Sequence, residues 1–184
     1  EDKQKRIAKE TLEIYAPIAY RLGLANIKWQ LEDLAFRYLQ PKMYQELKEK
    51  ISKKRYIREI QINKIKAIIE KELRNHNINT EVYGRVKNFY SIYKKIIERN
   101  YDFEHMYDLI ALRIIVNEVK ECYEALGIIH NLFKPLQERF KDYIANPKPN
   151  LYQSLHTVIL FDNEPVEFQI ETQEMHKINE EGIA

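Results

Sequence analysis

Three polar residues alternate along one predicted strand and carry the groups that acid–base chemistry uses. In the segment VEFQIE, Glu167, Gln169 and Glu171 share one face, because successive side chains of a strand point to opposite sides. A further acid, Asp108, stands directly before the apolar run LIALRIIV. Carboxylates bind Mg²⁺, and a carboxylate beside a hydroxyl can accept its proton. If the two strands are neighbours, we expect Asp108 and Glu167 to share a metal. Taken singly, a turn cap and the wet side of a half-exposed strand explain these acids more simply.

Two cations precede these acids in the segment YGRVKNFYSIYKK. Arg85 and Lys87 are two positions apart, so in an extended segment both side chains point the same way and suit a polyphosphate. Ser91 and Lys95 follow on the next predicted helix. A solvated strand edge is the simpler explanation of the Arg85–Lys87 pair when it is considered alone.

The segment RFKDYIANPKPNLYQSLHT, residues 139–157, concentrates hydrogen-bond donors on a stiff loop. Pro147 and Pro149 restrict its freedom, which lowers the entropic cost of holding a ligand. Tyr152 offers a flat face to a base, and such stacking contributes roughly 1–3 kcal/mol in nucleic-acid-binding proteins. Most of the thirteen tyrosines must nevertheless be structural. The side chains expected to hold a nucleotide here are Arg139, Lys141, Lys148, Asn150, Tyr152, Gln153 and His156.

The composition excludes several other kinds of site. The four glycines are not spaced as in dinucleotide-binding or P-loop sequences, so side chains must hold any phosphates. The 30 basic and 28 acidic residues nearly balance, which argues against a nucleic-acid partner. Cys122 is the single cysteine, which excludes a disulfide within the chain and favours a cytoplasmic location. The longest apolar run is too short for a membrane-spanning helix.

Residues 1–76 are predicted to be helical. Apolar residues recur close to the helical period in KQKRIAKETLEIYAPIAYRL and in IKWQLEDLAFRYL. Pro17 is expected to kink or end the first helix, Gly23 to stop it, and Asn26 to cap the next. Two further helices are predicted as separate elements, PKMYQELKEKISKK and REIQINKIKAIIEKELRN.

From residue 77 onward, strands and helices alternate. The predicted strands are INTEVYGRV, LIALRIIV, TVILF and VEFQIE, and the predicted helices are NFYSIYKKIIERN, EVKECYEALGIIHNLF and TQEMHKINEEG. DNEP predicts a hairpin turn between the last two strands. Asn88 and Thr172 are expected to cap helices, and Gly182 to stop the last one. The predicted fold is α+β, a small mixed sheet flanked by helices and preceded by an all-helical arm.

Taken together, these segments resemble the synthetase domain of RelA/SpoT-type alarmone enzymes, the GTP pyrophosphokinases that make (p)ppGpp. The resemblance rests on YGRVKNFYSIYKK, DLIALRIIV, RFKDYIANPKPNLYQSLHT, VEFQIET and MHKINEEGIA. The stretch RIAKETLEIYAPIAYRLGLANIKWQLEDLAFRYL is similar to the end of the family's hydrolase domain and the linker after it. The resemblance therefore implies three units: trailing hydrolase helices at 1–25, a helical linker at 26–76, and a synthetase domain at 77–184. It also implies that the hydrolase and C-terminal regulatory regions of a parent protein are missing here.

The resemblance implies a nucleotidyltransferase-like fold with a five-stranded mixed sheet. The implied reaction moves the β,γ-pyrophosphate of ATP to the 3′-hydroxyl of GDP or GTP, with Mg²⁺, in the stringent response. Asp108 matches the metal-binding aspartate, and Glu167 the catalytic glutamate that binds metal or activates the hydroxyl. The implied ATP-binding residues are Arg85, Lys87, Ser91 and Lys95. The implied GDP- or GTP-binding residues are Arg139, Lys141, Lys148, Asn150, Tyr152, Gln153, His156 and Gln169, with Tyr152 stacking on guanine.

Two departures from the family pattern lead to further expectations. The family reads E-I-Q-I-R-T where this chain has Glu171 in place of the arginine. Glu171 is therefore expected to repel substrate phosphates, and the alternative function is a catalytically impaired guanine-nucleotide-binding regulatory module. The H-D metal motif of the hydrolase half is absent from the sequence, so alarmone hydrolysis is not expected of this chain.

Overall fold

The chain begins with helices and ends in a mixed sheet. The computed structural model describes residues 2–86, 88–99 and 110–182, and the side chains of all these except 53–58, 85, 86, 98, 99 and 110. The helices are α1 (Asp2–Glu10), α2 (Ala16–Arg21), α3 (Ala25–Leu39), α4 (Pro41–Asn75), α5 (Phe89–Arg99), α6 (Val119–Leu132) and α7 (Gln173–Glu181). The strands are β1 (Glu81–Val86), β2 (Ile110–Val116), β3 (Lys134–Pro135), β4 (Lys141–Asp142), β5 (Leu155–Phe161) and β6 (Glu164–Thr172). No helix in the described part of the chain is long and apolar enough to cross a membrane.

The first helices depart from the expected breaks. A π-helical turn, Thr11–Tyr15, joins α1 to α2 just before Pro17, and this wider turn accommodates a residue that has no amide to donate. Pro17 is the second residue of α2, so no helix ends at it; the change of helix type comes before it. Gly23 follows α2 with φ of 76°, as expected of a helix stop. The Asn26 cap is wrong, because α3 begins at Ala25 without any side-chain cap.

The apolar stripe of α1 and α2 lies on the outside of the arm. Ala8, Ala16 and Ala19 are buried, and α3 packs against both helices. Ile14 and Leu22, by contrast, are about half exposed. The small alanine side chains allow the helices to approach closely, so the helical period is correct while the larger residues face away from α3.

Helix α4 is one continuous helix of 35 residues, and the prediction of two separate helices is wrong. The sequence between Pro41 and Asn75 contains no further proline and no glycine, so nothing in it ends a helix. At 1.5 Å per residue α4 is about 52 Å long, which is long enough to serve two separate cores.

The sheet is mixed, as predicted, and its main path contains five strands in the order β1-β2-β6-β5-β3, with β4 pairing to β5 as a short sixth. β2 and β6 are parallel, while β1 with β2 and β5 with β6 are antiparallel. Asp162 and Asn163 form the β5–β6 turn with φ of 50° and 63°, which confirms the predicted hairpin.

Thr172 accepts a hydrogen bond from the Met175 amide at 3.2 Å, and Gly182 ends α7, so both predictions for this helix are confirmed.

One face of the sheet is apolar and is covered by two helices. Leu112, Phe168 and Ile170 are fully buried on this face. The C-terminal half of α4 and the inner side of α6 complete the core with Ile65, Ile69, Leu73, Cys122, Ala125 and Ile129. The opposite face of the sheet is therefore the one available for a site.

A second core joins α3, the first half of α4 and α5. Phe36 is its centre, and its ring stacks on Tyr93 with centroids 4.6 Å apart. Asp33 of α3 accepts hydrogen bonds from the Phe89 and Tyr90 amides at 3.2 and 2.8 Å, and so caps α5 from another helix. Burial raises the pKa of Asp33, although these amides oppose the shift. The side-chain amide of Asn88, the residue expected to cap this helix, donates to Glu32 at 3.3 Å.

Candidate active site

The polar face of the sheet carries one aligned residue from each of five strands. Tyr83, Arg113, Gln169, His156 and Lys141 occupy successive strands in one register row. Paired residues of neighbouring strands project to the same side, so this row is a continuous polar strip. The row brings together three of the predicted nucleotide-binding residues, from parts of the chain far apart in sequence.

Glu167 lies in the next row, on β6. Its partner on the parallel strand β2 is Ala111, whose other partner is Arg85 on β1. With strands about 4.8 Å apart, the Arg85 and Glu167 backbones are about 10 Å apart. Glu167 is half-buried, and its Oε1 accepts a hydrogen bond from Gln169 Nε2 at 3.1 Å. The adjacency of β2 and β6 expected for the acidic pair is confirmed, while Asp108 lies outside the described residues.

The predicted ATP-binding residues are described only in part. Lys87 lies outside the described residues, and only the backbone of Arg85 is described. Ser91 and Lys95 are half-buried on α5, the helix whose N-terminus Asp33 caps. These two side chains therefore lie on a helix beyond β1 and not on the sheet itself.

The loop before β5 forms an aromatic cluster around a lysine. Lys148 Nζ lies 4.4 Å from the Tyr143 ring centroid and 4.7 Å from that of Tyr152. The Tyr152 hydroxyl and His156 Nε2 are 2.8 Å apart, a hydrogen bond that ties the loop to the polar row. Tyr152 is half-buried in this cluster and does not belong to either hydrophobic core. Its ring is therefore placed at the surface, as a stacking platform requires. The sequence analysis did not name Tyr143 as part of this cluster. Its position in the loop segment, close to Lys141, was the available signal.

A tight turn and several side chains shape the rest of this loop. Leu151 adopts φ of 61° and its amide bonds the Lys148 carbonyl at 2.8 Å, a conformation that costs a non-glycine residue about 1 kcal/mol. The Asn150 and Gln153 side chains donate to the carbonyls of Tyr20 and Ile144 at 3.4 and 3.3 Å. In the structure these two amides therefore hold the loop. Arg139 is exposed at the end of a 3₁₀ turn, Gln137–Arg139.

Glu171 is fully buried, and the expectation of a wet strand face is wrong at this position and at Gln169. Its Oε1 lies 3.3 Å from Arg113 Nε and 2.9 Å from His176 Nδ1, and its Oε2 accepts from Asn179 Nδ2 at 3.0 Å. Helix α7 thus covers this end of the polar face. The predicted repulsion of phosphates by Glu171 is not supported, because Glu171 is fully buried and paired with Arg113 inside the protein.

Arg113 is the main residue that the sequence analysis missed. It is 3% exposed, and besides Glu171 it binds Glu180 Oε1 at 2.6 Å. Burial acts to lower the pKa of Arg113, but the charge of Glu171 and the hydrogen bond to Glu180 outweigh it and raise the pKa. His176, which contacts Glu171 through Nδ1, also bonds the Tyr83 hydroxyl at 2.9 Å. The available signal was the lone arginine inside LIALRIIV, because a buried charge requires partners.

Carboxylate oxygens, such as those of Glu167, are the type of ligand that Mg²⁺ prefers. Within the residues the structure describes, no three histidine, cysteine, aspartate or glutamate side chains gather into a metal cluster. Mg²⁺ is usually held by one or two carboxylates plus substrate phosphates, and half-buried Glu167 beside β2 supplies one such carboxylate.

Comparison with known proteins places the chain in a family. The family described as "Region found in RelA / SpoT proteins" matches residues 84–184, the part that contains the sheet and the loop. The chain belongs to the RelA/SpoT family. The predicted resemblance and fold class are thereby confirmed.

Three relatives show how far the likeness extends. A GTP pyrophosphokinase of Myxococcus xanthus is 52% identical over all of this chain and 24% of its own length. A probable guanosine-3′,5′-bis(diphosphate) 3′-pyrophosphohydrolase of Synechocystis is 48% identical, also over all of this chain and 24% of its own. The chain thus spans about a quarter of these relatives. Among solved structures, the small alarmone synthetase 1 from Bacillus subtilis, crystallised with its product pppGpp, shares 27% sequence identity with this chain. It has a TM-score of 0.51 and covers 64% of this chain and 70% of that chain.

Proposed function

We propose that this chain makes (p)ppGpp by moving the β,γ-pyrophosphate of ATP to the 3′-hydroxyl of GDP or GTP. The observation that supports this most directly is the sheet register, which joins Glu167 to the loop. Glu167 bonds Gln169, Gln169 is paired with His156, and His156 bonds Tyr152. Glu167, the candidate proton acceptor, and Tyr152, the candidate ring for stacking on guanine, therefore lie on one polar surface. The pppGpp bound by the Bacillus subtilis relative supports a guanosine nucleotide as the ligand.

The proposed mechanism is positioning together with charge neutralisation. Tyr152 stacks on guanine, and the loop cations, among them Lys141 and Lys148, face the acceptor phosphates. Glu167 takes the proton of the 3′-hydroxyl while the oxygen of that hydroxyl bonds to the β-phosphorus of ATP. The bond from that phosphorus to the oxygen that bridges the α- and β-phosphates breaks, and AMP leaves with the electron pair on this oxygen.

On the donor side, we assign ATP binding to the cations before and on α5, Arg85, Lys87 and Lys95, with Ser91. Asp108 and Glu167 would hold Mg²⁺, which supplies neutralisation of the phosphate charge when bound. The three-unit division of the chain, with the synthetase part at 77–184, is part of the same proposal.

Glu171 was one ground for the alternative, an impaired nucleotide-binding module. Because Glu171 is buried against Arg113, no observation favours that alternative over synthesis.

A product assay with a matched variant tests the proposal. The chain is incubated with ATP, GDP and Mg²⁺, and guanosine tetraphosphate and AMP are separated by ion-exchange chromatography. We expect equal amounts of both products from the wild-type chain. Glu167→Gln, which keeps the shape of the side chain and removes the base, should lower the rate at least about 100-fold. ATP should still bind, as titration calorimetry measures, because Arg85, Lys87 and Lys95 are unchanged.

Absence of both products with the wild-type chain contradicts the function. Full activity of Glu167→Gln contradicts the role of Glu167 and leaves the function standing.

A further inference from the structure

The buried pair Arg113–Glu171 is connected to the nucleotide loop through one side chain of α7. Asn179 is 4% exposed, and its Nδ2 donates both to Glu171 Oε2 at 3.0 Å and to the Gln153 carbonyl at 2.8 Å. Its Oδ1 accepts the Gln153 amide at 3.2 Å. The side chain of Asn179 thus pairs with both backbone groups of Gln153, the residue that follows Tyr152.

The orientation of the Asn179 amide is fixed by its partners. A carboxylate and a carbonyl can only accept, so the NH₂ group must face Glu171 and the Gln153 carbonyl. The oxygen is then left for the Gln153 amide. An arginine at position 171 offers no acceptor, so this arrangement depends on the carboxylate of Glu171.

Stability alone is a weak reason for such an arrangement. A buried ion pair often contributes little, because removing both charges from water offsets their attraction. Arg113 Nε, although 3.3 Å from Glu171, makes no aligned hydrogen bond. What the pair does achieve is to hold Asn179, and through it Gln153, at a defined position beside the polar row.

We propose that Asn179 and Glu171 are positioning residues for the guanosine nucleotide: they fix the Gln153 backbone and thereby hold Tyr152 where it stacks on the base. This inference rests on the proposed function, since it assigns the loop to the acceptor. It predicts an effect on the acceptor nucleotide and none on ATP. The loop directly precedes β5, whereas Arg85 lies on β1 and Ser91 and Lys95 lie on α5.

The test compares two leucine substitutions on α7. Asn179→Leu keeps the branched shape of the side chain but cannot pair with Gln153, whereas Lys177→Leu changes an exposed residue of the same helix. We expect Asn179→Leu to raise the Kd and KM for GDP at least about tenfold, and to leave the KM for ATP unchanged. Lys177→Leu should change neither. An effect of Asn179→Leu on thermal stability alone, or an equal rise of both KM values, would overturn the proposal.

A measurement on the wild-type chain decides the case if the variant does not fold. The Gln153 amide, bonded to a buried acceptor, should exchange with deuterium much more slowly than the exposed amides of the loop. Fast exchange overturns the proposal, and slow exchange that persists in folded Asn179→Leu does so as well.

The same experiments separate this proposal from the function. A wild-type chain that binds GDP but forms no tetraphosphate contradicts the function, and the GDP affinities of the two variants then decide the proposal. A wild-type chain that binds no GDP overturns both.

Discussion

At the scale of single residues, contacts fix both the side chain of Tyr152 and the backbone next to it. Its hydroxyl is bonded to His156 on β5, and the ammonium of Lys148 lies over its ring. The neighbouring Gln153 backbone is held by Asn179. A ring fixed in this way loses little further freedom when a base stacks on it, which favours binding.

Tyr152→Ala should therefore weaken GDP binding roughly 5- to 150-fold, the range that a lost base–aromatic stack produces. ATP binding should stay within twofold, because no ATP residue is assigned to the loop. Tyr152→Phe is the matched control, since it keeps the ring and loses only the bond to His156, at a cost of no more than about tenfold. Titration calorimetry with each nucleotide measures both effects. Equal weakening of GDP and ATP by Tyr152→Ala would count against stacking.

At the scale of elements, the turn after α2 meets the end of α7. Gly182 has φ of 78°, and a Cβ placed there would lie 2.7 Å from the Leu22 carbonyl oxygen and 2.9 Å from Leu24 Cδ2. Asn150 of the loop donates to the Tyr20 carbonyl at the same junction. The arm, the loop and α7 thus approach one another most closely where only glycine fits.

Gly182→Ala should destabilise the fold by about 1–3 kcal/mol, because it adds a clash to an unfavourable backbone conformation. Gly127 on α6 is the matched control, since a Cβ there meets nothing within 4 Å. Gly127→Ala should stabilise the helix by about 0.5–1 kcal/mol. In thermal denaturation the two midpoints should move in opposite directions, each by about 2–4 °C per kcal/mol. A shift in the same direction for both would show that the contact at Gly182 is not tight.

At the scale of the whole molecule, α4 belongs to both cores. Its first half packs Leu47 and Ile51 with Phe36, while its second half buries Ile65 and Ile69 against the sheet. The boundary predicted near residue 76 therefore does not separate two independent cores. The sheet depends on a helix that the sequence analysis assigned to a linker.

A chain that begins at residue 77 should consequently fail to fold. It loses Ile65, Ile69 and Leu73, three fully buried side chains at roughly 1.5–3 kcal/mol each. Their sum, about 5–9 kcal/mol, is comparable to the stability of a whole domain. Residues 25–184 keep both cores and should retain a cooperative thermal transition, followed by circular dichroism. A cooperative transition in chain 77–184 would contradict the role given to α4.

Most individual elements were predictable because their signals are local. Alternation along VEFQIE gave the strand and its two faces, DNEP gave the hairpin, and Thr172 and Gly182 gave the ends of α7. The order of several such segments was specific enough to indicate the family. The contact of Asp33 with the first amides of α5 was not predictable in this way, since Asp33 lies 56 residues from Phe89 along the chain.

The sequence by itself determined the four longer strands, the hairpin turn, the family and a set of candidate nucleotide-binding side chains, because each depends on neighbours along the chain. The two-residue strands β3 and β4 were not predicted. Only the tertiary structure decided that Glu171 is buried and paired with Arg113, and that Asn179 bonds the Gln153 backbone in the loop before β5. The same charge repels phosphate when exposed and anchors a loop when buried beside an arginine. Which of the two occurs depends on the packing of α7 over β2 and β6, and no local pattern specifies that packing.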